Sequence, residues 1–249
     1  MAELLLQRGA DPNVHVDSSG SSMYSAFSHK QWEMVELLRR HGGVVSADTA
    51  AIYRQTDLAR QMLAHENVAE ELLRFGASGG DPEIVRMALE RIDWPRDDAR
   101  WLGILTQPLY FWHHIPWLYA GNRELDRGTY LPCFRVILKR CDPNHVGSFG
   151  RTALHEVASM RGHVTEDEAA PFALALLEAG ARMGVRDEIL KSTPLGWACR
   201  WGRVQVVKLL LDRGADPVEA DAESWATPRA WAQKMEHDDV LALLTDHGG

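Results

Sequence analysis

From Val204 to Leu211 the chain reads VQVVKLLL, apolar around most of a helical circumference, while Leu195, Ala198 and Cys199 just before it are spaced i, i+3, i+4. Residues at that spacing share one helical face, so the first segment predicts a short helix with a narrow apolar stripe. The second predicts a helix covered on two sides. The punctuation agrees: Thr193 is a suitable N-cap and Pro194 suits the first helical position, where its missing N–H would lack an intrahelical partner anyway. Gly202 breaks the first helix from the second, Gly214 supplies a left-handed C-cap, and Asp216-Pro217 cannot continue the helix. A helix pair of this size cannot bury its own apolar faces, so the unit implies stacked copies.

Copies recur at a fixed period. The close reappears at Leu4 to Leu6 with Gly9-Ala10-Asp11-Pro12, at Gly42, at Cys141-Asp142-Pro143-Asn144, at Gly180-Ala181 and at His247-Gly248. Gly42 follows Gly9 by 33 residues, and Gly180, Gly214 and Gly248 stand 34 apart twice. The openings Thr152-Ala153-Leu154-His155, Thr193-Pro194-Leu195 and Thr227-Pro228-Arg229-Ala230 are 41 and then 34 residues apart, which assigns the excess to the polar stretch from Arg161 to Asp167. The Thr-Pro-Leu opening, the turn Gly202-Arg203-Val204 and the close from Leu209 to Asp216 resemble the ankyrin repeat. The resemblance implies an all-α ankyrin-repeat solenoid of stacked helix-turn-helix units with short hairpin-like finger loops.

On that register the chain divides into a half repeat over 1–14, a degenerate repeat over 15–45, two drifted repeats over 46–93, a repeat with an aromatic insertion over 94–145, and clear repeats over 146–182, 183–217 and 218–249. One continuous solenoid over 1–249 is expected. Within 46–93, Thr49–Tyr53 and Asp57–Ala64 form one predicted helix pair, and Val68–Phe75 and Pro82–Leu89 another, joined by Gly76-Ala77-Ser78-Gly79-Gly80 as a loop. The opening half repeat lacks its first helix; the expectation is a missing upstream portion, with Leu4 to Leu6 open to self-association. The insertion concentrates Trp94, Trp101, Phe111, Trp112 and Trp117, with Trp101 and Phe111 assigned to core, and Trp112 and Trp117, beside Pro116, to a further surface.

Composition narrows the function. A formal net charge of −8 argues against nucleic-acid binding, which draws on Lys and Arg neutralising phosphates. No apolar run of about 18 residues occurs to span a membrane, and Met1-Ala2-Glu3 leads into no signal-peptide pattern. Cys133, Cys141 and Cys199 are an odd set in unrelated contexts, favouring reduced thiols and a cytoplasmic location. Adjacent His113 and His114 point about 100° apart on a helix and have no third ligand at a motif-like spacing, so no metal is expected. No nucleophile elbow, phosphate-cradling loop or Cys-x-x-Cys appears, so neither an enzyme nor a cofactor is expected. The alternative is a small-molecule or enzymatic role centred on the aromatic insertion at 94–130.

The resemblance implies a non-catalytic module that binds another protein through a concave face of fingers and first helices. Carried onto this sequence, that face comprises the helix-end positions Ser159, Met160, Arg200, Trp201, Lys234 and Met235, and the finger positions Phe149, Arg151, Leu190, Lys191 and Trp225. Asp187 and Asp221, each six residues before a repeat threonine, mark the fingers. His155 is assigned a structural role, bridging polar groups of neighbouring turns.

Overall fold

The computed structural model describes residues 1–16, 20–109, 129–160 and 166–248. They fall into two compact units, one built on residues 1–93 and Thr129, the other on residues 94–109 and 130–248. Each unit is an array of helix pairs, as the sequence indicates.

In the first unit α1 (Ala2–Gln7) precedes a small antiparallel hairpin of β1 (His15–Val16) and β2 (Gly20–Ser21). Three pairs follow: α2 (Ser22–Ser28) with α3 (Trp32–Arg40), α4 (Ala47–Ile52) with α5 (Thr56–His65), and α6 (Ala69–Gly79) with α7 (Pro82–Leu89). The first helices α2, α4 and α6 pack side by side, and α5 packs on α7. Phe27, Leu38, Leu72, Leu73, Ile84 and Val85 are buried between them. Asp81 starts α7 by accepting from the Glu83 and Ile84 amides, and its other oxygen accepts from Thr56 Oγ1 at 2.8 Å, tying that cap to the preceding pair. Asn13 laces the opening segment to the next: its Nδ2 donates to Gly42 O at 3.0 Å while its Oδ1 accepts from Val44 N at 2.9 Å.

The run Gly76 to Gly80 is not the loop its composition suggests. Helix α6 continues through Gly79, and only Gly80, at φ +68°, turns the chain. The physical reason is a close approach of helices: a Cβ on Gly79 would lie 2.6 Å from Ala51 O and 2.8 Å from Ile52 O, so α4 can approach only a side chain of hydrogen. Gly79→Ala is expected to destabilise the protein by about 1–3 kcal/mol through overpacking. Gly103→Ala, inside helix α8 (Arg100–Leu105) of the second unit with nothing within 4 Å of the added carbon, should instead be neutral or stabilise by up to about 1 kcal/mol. Urea unfolding midpoints check the pair; equal effects would refute the close-approach account.

In the second unit α8 is followed by α9 (Tyr130–Leu138), then by α10 (Ala153–Ser159) with α11 (Glu166–Glu178), α12 (Pro194–Arg200) with α13 (Val204–Asp212), and α14 (Pro228–Lys234) with α15 (Asp238–Gly248). The first helices α10, α12 and α14 form one row, and α9, α11, α13 and α15 the other. Thr193 and Thr227 cap α12 and α14 through their hydroxyls, and a proline follows each at the first helical position. Asn144 repeats the Asn13 device, bonding Gly180 O and Arg182 N at 3.0 and 2.7 Å. Trp101 is buried, as expected, donating its Nε1–H to Pro95 O at 2.7 Å and meeting Trp94 edge to face. Phe111, Trp112, His113, His114 and Trp117, and with them the further insertion surface, lie outside the described residues.

Candidate partner-binding face

The fingers of the second unit are built by buried polar bonds. In the middle one Asp187 accepts from the Ile189 and Leu190 amides through Oδ2, at 2.9 and 2.7 Å, and from Ser192 N and Trp197 Nε1 through Oδ1, at 3.1 and 2.9 Å. Burial alone would raise that carboxyl; these donors outweigh it and hold it below the usual range. The finger before it closes with Gly147 N donating to Arg151 O, and Glu188 N then donates to Phe149 O at 2.8 Å, joining the two. Ser192 Oγ donates to Ala226 O at 2.9 Å, joining the second to the third. His155 adds a third tie. Its Nδ1 accepts from Thr152 N, so Nε2 carries the hydrogen and donates to Ser192 O at 3.3 Å, which defines a neutral imidazole.

These rigid fingers carry apolar tips. Phe149, Ile189 and Trp225 are 57%, 56% and 48% exposed on three successive fingers. Phe149 is held at φ +60°, ψ +28°, a left-handed conformation that a bulky side chain adopts only when its surroundings impose it.

Beside the fingers the first helices present tryptophans roofed by cations. Trp197 and Trp231 occupy equivalent turns of α12 and α14, 34 residues apart, and are 7% and 3% exposed. Trp197 Nε1 is fixed by Asp187 and Trp231 Nε1 by Ser192 Oγ at 2.7 Å. The Arg151 guanidinium carbon lies 4.5 Å from the Trp197 centroid, that of Arg200 lies 4.3 Å from Trp231, and Lys234 Nζ lies 5.2 Å from the same ring. Each distance is within the range where a cation is attracted to the ring face. Arg151 also pairs with Glu156 at 2.5 Å.

The positions read from the sequence do not all meet the solvent. Lys191, Lys234 and Met235 are exposed, Arg151, Leu190, Arg200 and Trp201 are half-buried, and Arg200 lies 5.5 Å from the Trp201 ring as well. Ser159 and Met160 are buried, Met160 at 4% exposure, which removes both from the face. The backbone explains it: Met160 leaves its helix at φ −37°, ψ 109°, turning away from the register kept by Trp201 (φ −100°, ψ 6°) and Met235 (φ −103°, ψ 4°). Ile189, not Leu190, is the exposed tip, and Trp197 and Trp231 lie outside the positions that the repeat register marks. A 34-residue recurrence of Trp-x-x-cation, Trp197/Arg200 and Trp231/Lys234, is the signal that marks them.

An open cavity of about 740 Å³ is lined by Arg182, Arg186, Thr193, Glu219 and Asp221 among others. Within it Arg186 forks to Glu219 and Asp221, both at 2.8 Å, and Glu219 accepts from Thr193 Oγ1. Among the described residues no cluster of His, Cys, Asp or Glu could hold a metal ion, and no helix is long and apolar enough to cross a membrane.

A family model for ankyrin repeats, three copies long, matches residues 125–221 and 166–249, together half of the chain. The chain belongs to the ankyrin repeat family. Ankyrin repeats are generally protein–protein interaction modules, and the family is typically non-catalytic. Over 117 residues the chain is 34% identical to a probable serine/threonine-protein kinase of Dictyostelium discoideum. That match covers 46% of this ankyrin chain and only 13% of the kinase, so the chain spans a small part of that relative's length.

Proposed function

We propose that this ankyrin protein is a non-catalytic binding module that holds another protein on the fingers and first helices of its second unit. The observation that carries the reading is the succession of half-exposed Phe149, Ile189 and Trp225 on three fingers locked together by hydrogen bonds. Large apolar side chains in a row on rigid supports are what a partner can cover without ordering the surface first. Arg151, Leu190, Lys191, Arg200, Trp201 and Lys234 complete the contact set. Cys133, Cys141 and Cys199 are buried and form no disulfide, and burial pushes the Cys141 thiol up to about 12, which suits a reducing cytoplasmic setting.

The test is affinity capture from the native host with the full chain and with an Arg200→Ala, Trp201→Ala, Trp225→Ala variant. Removing such anchors typically lowers affinity by a hundredfold or more, roughly, so capture should be lost while the unfolding midpoint stays close to the parent's. Unchanged capture by a folded triple variant would overturn the assignment of this face.

A further inference from the structure

We infer that the occupant of this face is an extended peptide segment that alternates carboxylate side chains with large apolar ones, an inference that rests on the reading above. The chain carries a net charge of −8, yet the first-helix strip is locally cationic. Arg151, Arg200 and Lys234 stand on the rings of Trp197 and Trp231, and Lys191 is exposed at a finger base. Glu156 is an acidic neighbour within the strip that Arg151 already pairs with, and Glu236 is exposed in the turn after Lys234. Arg229 belongs elsewhere, since it donates to Thr245 on α15. Glu188 and Glu223 are exposed on the fingers, at the rim rather than on the helices.

The cations are also set in place before any ligand arrives. Both indoles are pinned through Nε1, so the guanidinium of Arg200 and the ammonium of Lys234 rest on a fixed ring. A charge whose side chain is already ordered loses less freedom on binding, and a face-stacked guanidinium keeps its N–H edges directed outward for a carboxylate. Next to this strip lies the apolar row of Phe149, Ile189 and Trp225. The Trp225 and Trp231 rings meet edge to face with centroids 6.0 Å apart, so the two rows are contiguous at the third finger. A ligand lying across both must offer apolar groups to the fingertips and carboxylates to the helices. A nucleic acid fits less well: its uniform phosphate charge is repelled by the acidic chain, and its backbone offers the fingertips no apolar side chains.

The experiment is a selection of peptides from a displayed random library on the full chain, with the Arg200→Ala, Trp201→Ala, Trp225→Ala variant as counter-selection. The leading peptide is then synthesised with its Asp and Glu residues as they are and replaced by Asn and Gln. Enrichment of Asp and Glu next to Leu, Ile or aromatic residues is expected, with affinity falling about tenfold or more on neutralising the peptide's carboxylates. That loss should shrink as salt rises. Arg200→Gln with Lys234→Gln should reduce the difference between the two peptides, and because the neutralised peptide leaves the protein untouched, a poorly folded variant cannot mask the answer. Peptides that depend on the three substituted residues yet show no acidic enrichment, or bind equally well when neutralised, overturn this inference and leave the binding face standing. A single-stranded oligonucleotide that displaces the peptide at equal concentration overturns it as well. A selection yielding no peptide sensitive to the triple substitution overturns both.

Discussion

Replacing Asp187 by alanine is expected to destabilise the second unit by about 3–5 kcal/mol, among the largest effects a single substitution can have here. The carboxylate is 1% exposed and receives four hydrogen bonds. Alanine leaves the Trp197 indole N–H and the Ser192 amide buried without an acceptor, at about 1–3 kcal/mol each, while the Ile189 and Leu190 amides of the finger can turn to water. Asp187→Asn should fall between alanine and the parent. It keeps one acceptor oxygen but turns an amide donor toward two of the N–H groups. The consequence reaches the proposed binding face, because Trp197 supports Arg151 and the finger carries Ile189. Urea unfolding followed by tryptophan fluorescence measures it, and an alanine effect below about 1 kcal/mol would show that the four bonds are replaced by water.

The equivalent residue one repeat later behaves differently, and the contrast shows what the sequence conveys. Asp187 and Asp221 stand at the same offset from their threonines, yet Asp221 is exposed and bound to Arg186. The offset announces a finger; what the carboxylate touches depends on the neighbours that tertiary packing supplies. The second helices and caps were legible for the opposite reason. The apolar run of Val204 to Leu211, Thr193-Pro194 before it and Gly214 after it are local signals, and the structure has α12 and α13 where they fall. Gly76 to Gly80 reads as a loop because glycines open turns and tight helix contacts alike, and only the Ala51 and Ile52 carbonyls against Gly79 distinguish the two. On the face, fingertips such as Phe149 and Trp225 could be placed by register. Met160 could not, because its backbone leaves the helix at φ −37°, ψ 109° instead of in the register kept by Trp201 and Met235.

Acidification should cost this protein stability through His155, in a window set by the difference between its folded and unfolded protonation. The ring is fully buried with both nitrogens engaged, and burial, the largest influence, lowers its pKa from 6.5 to about 4. Between those values the unfolded chain binds a proton that the folded one refuses, so stability rises with pH and is lost as pH falls from about 6.5 toward 4, by about 3 kcal/mol in all. Neighbouring Glu156 acts in the opposite sense: burial raises it to about 7, against the Arg151 ion pair, so its protonation favours the folded state on acidification. The Asp187 carboxyl, held below its ordinary value, starts to lose its contribution as pH falls toward the ordinary aspartate range, at the acid end of this window. The His155 effect therefore has to be isolated by difference. His155→Gln should be less stable than the parent at pH 7.5, having lost the Thr152 and Ser192 bonds in their imidazole geometry, yet gain on it by about 3 kcal/mol by pH 4. Urea titrations of both proteins across that range provide the measurement; a difference that stays constant with pH would mean that the folded protein accepts the proton on His155 after all.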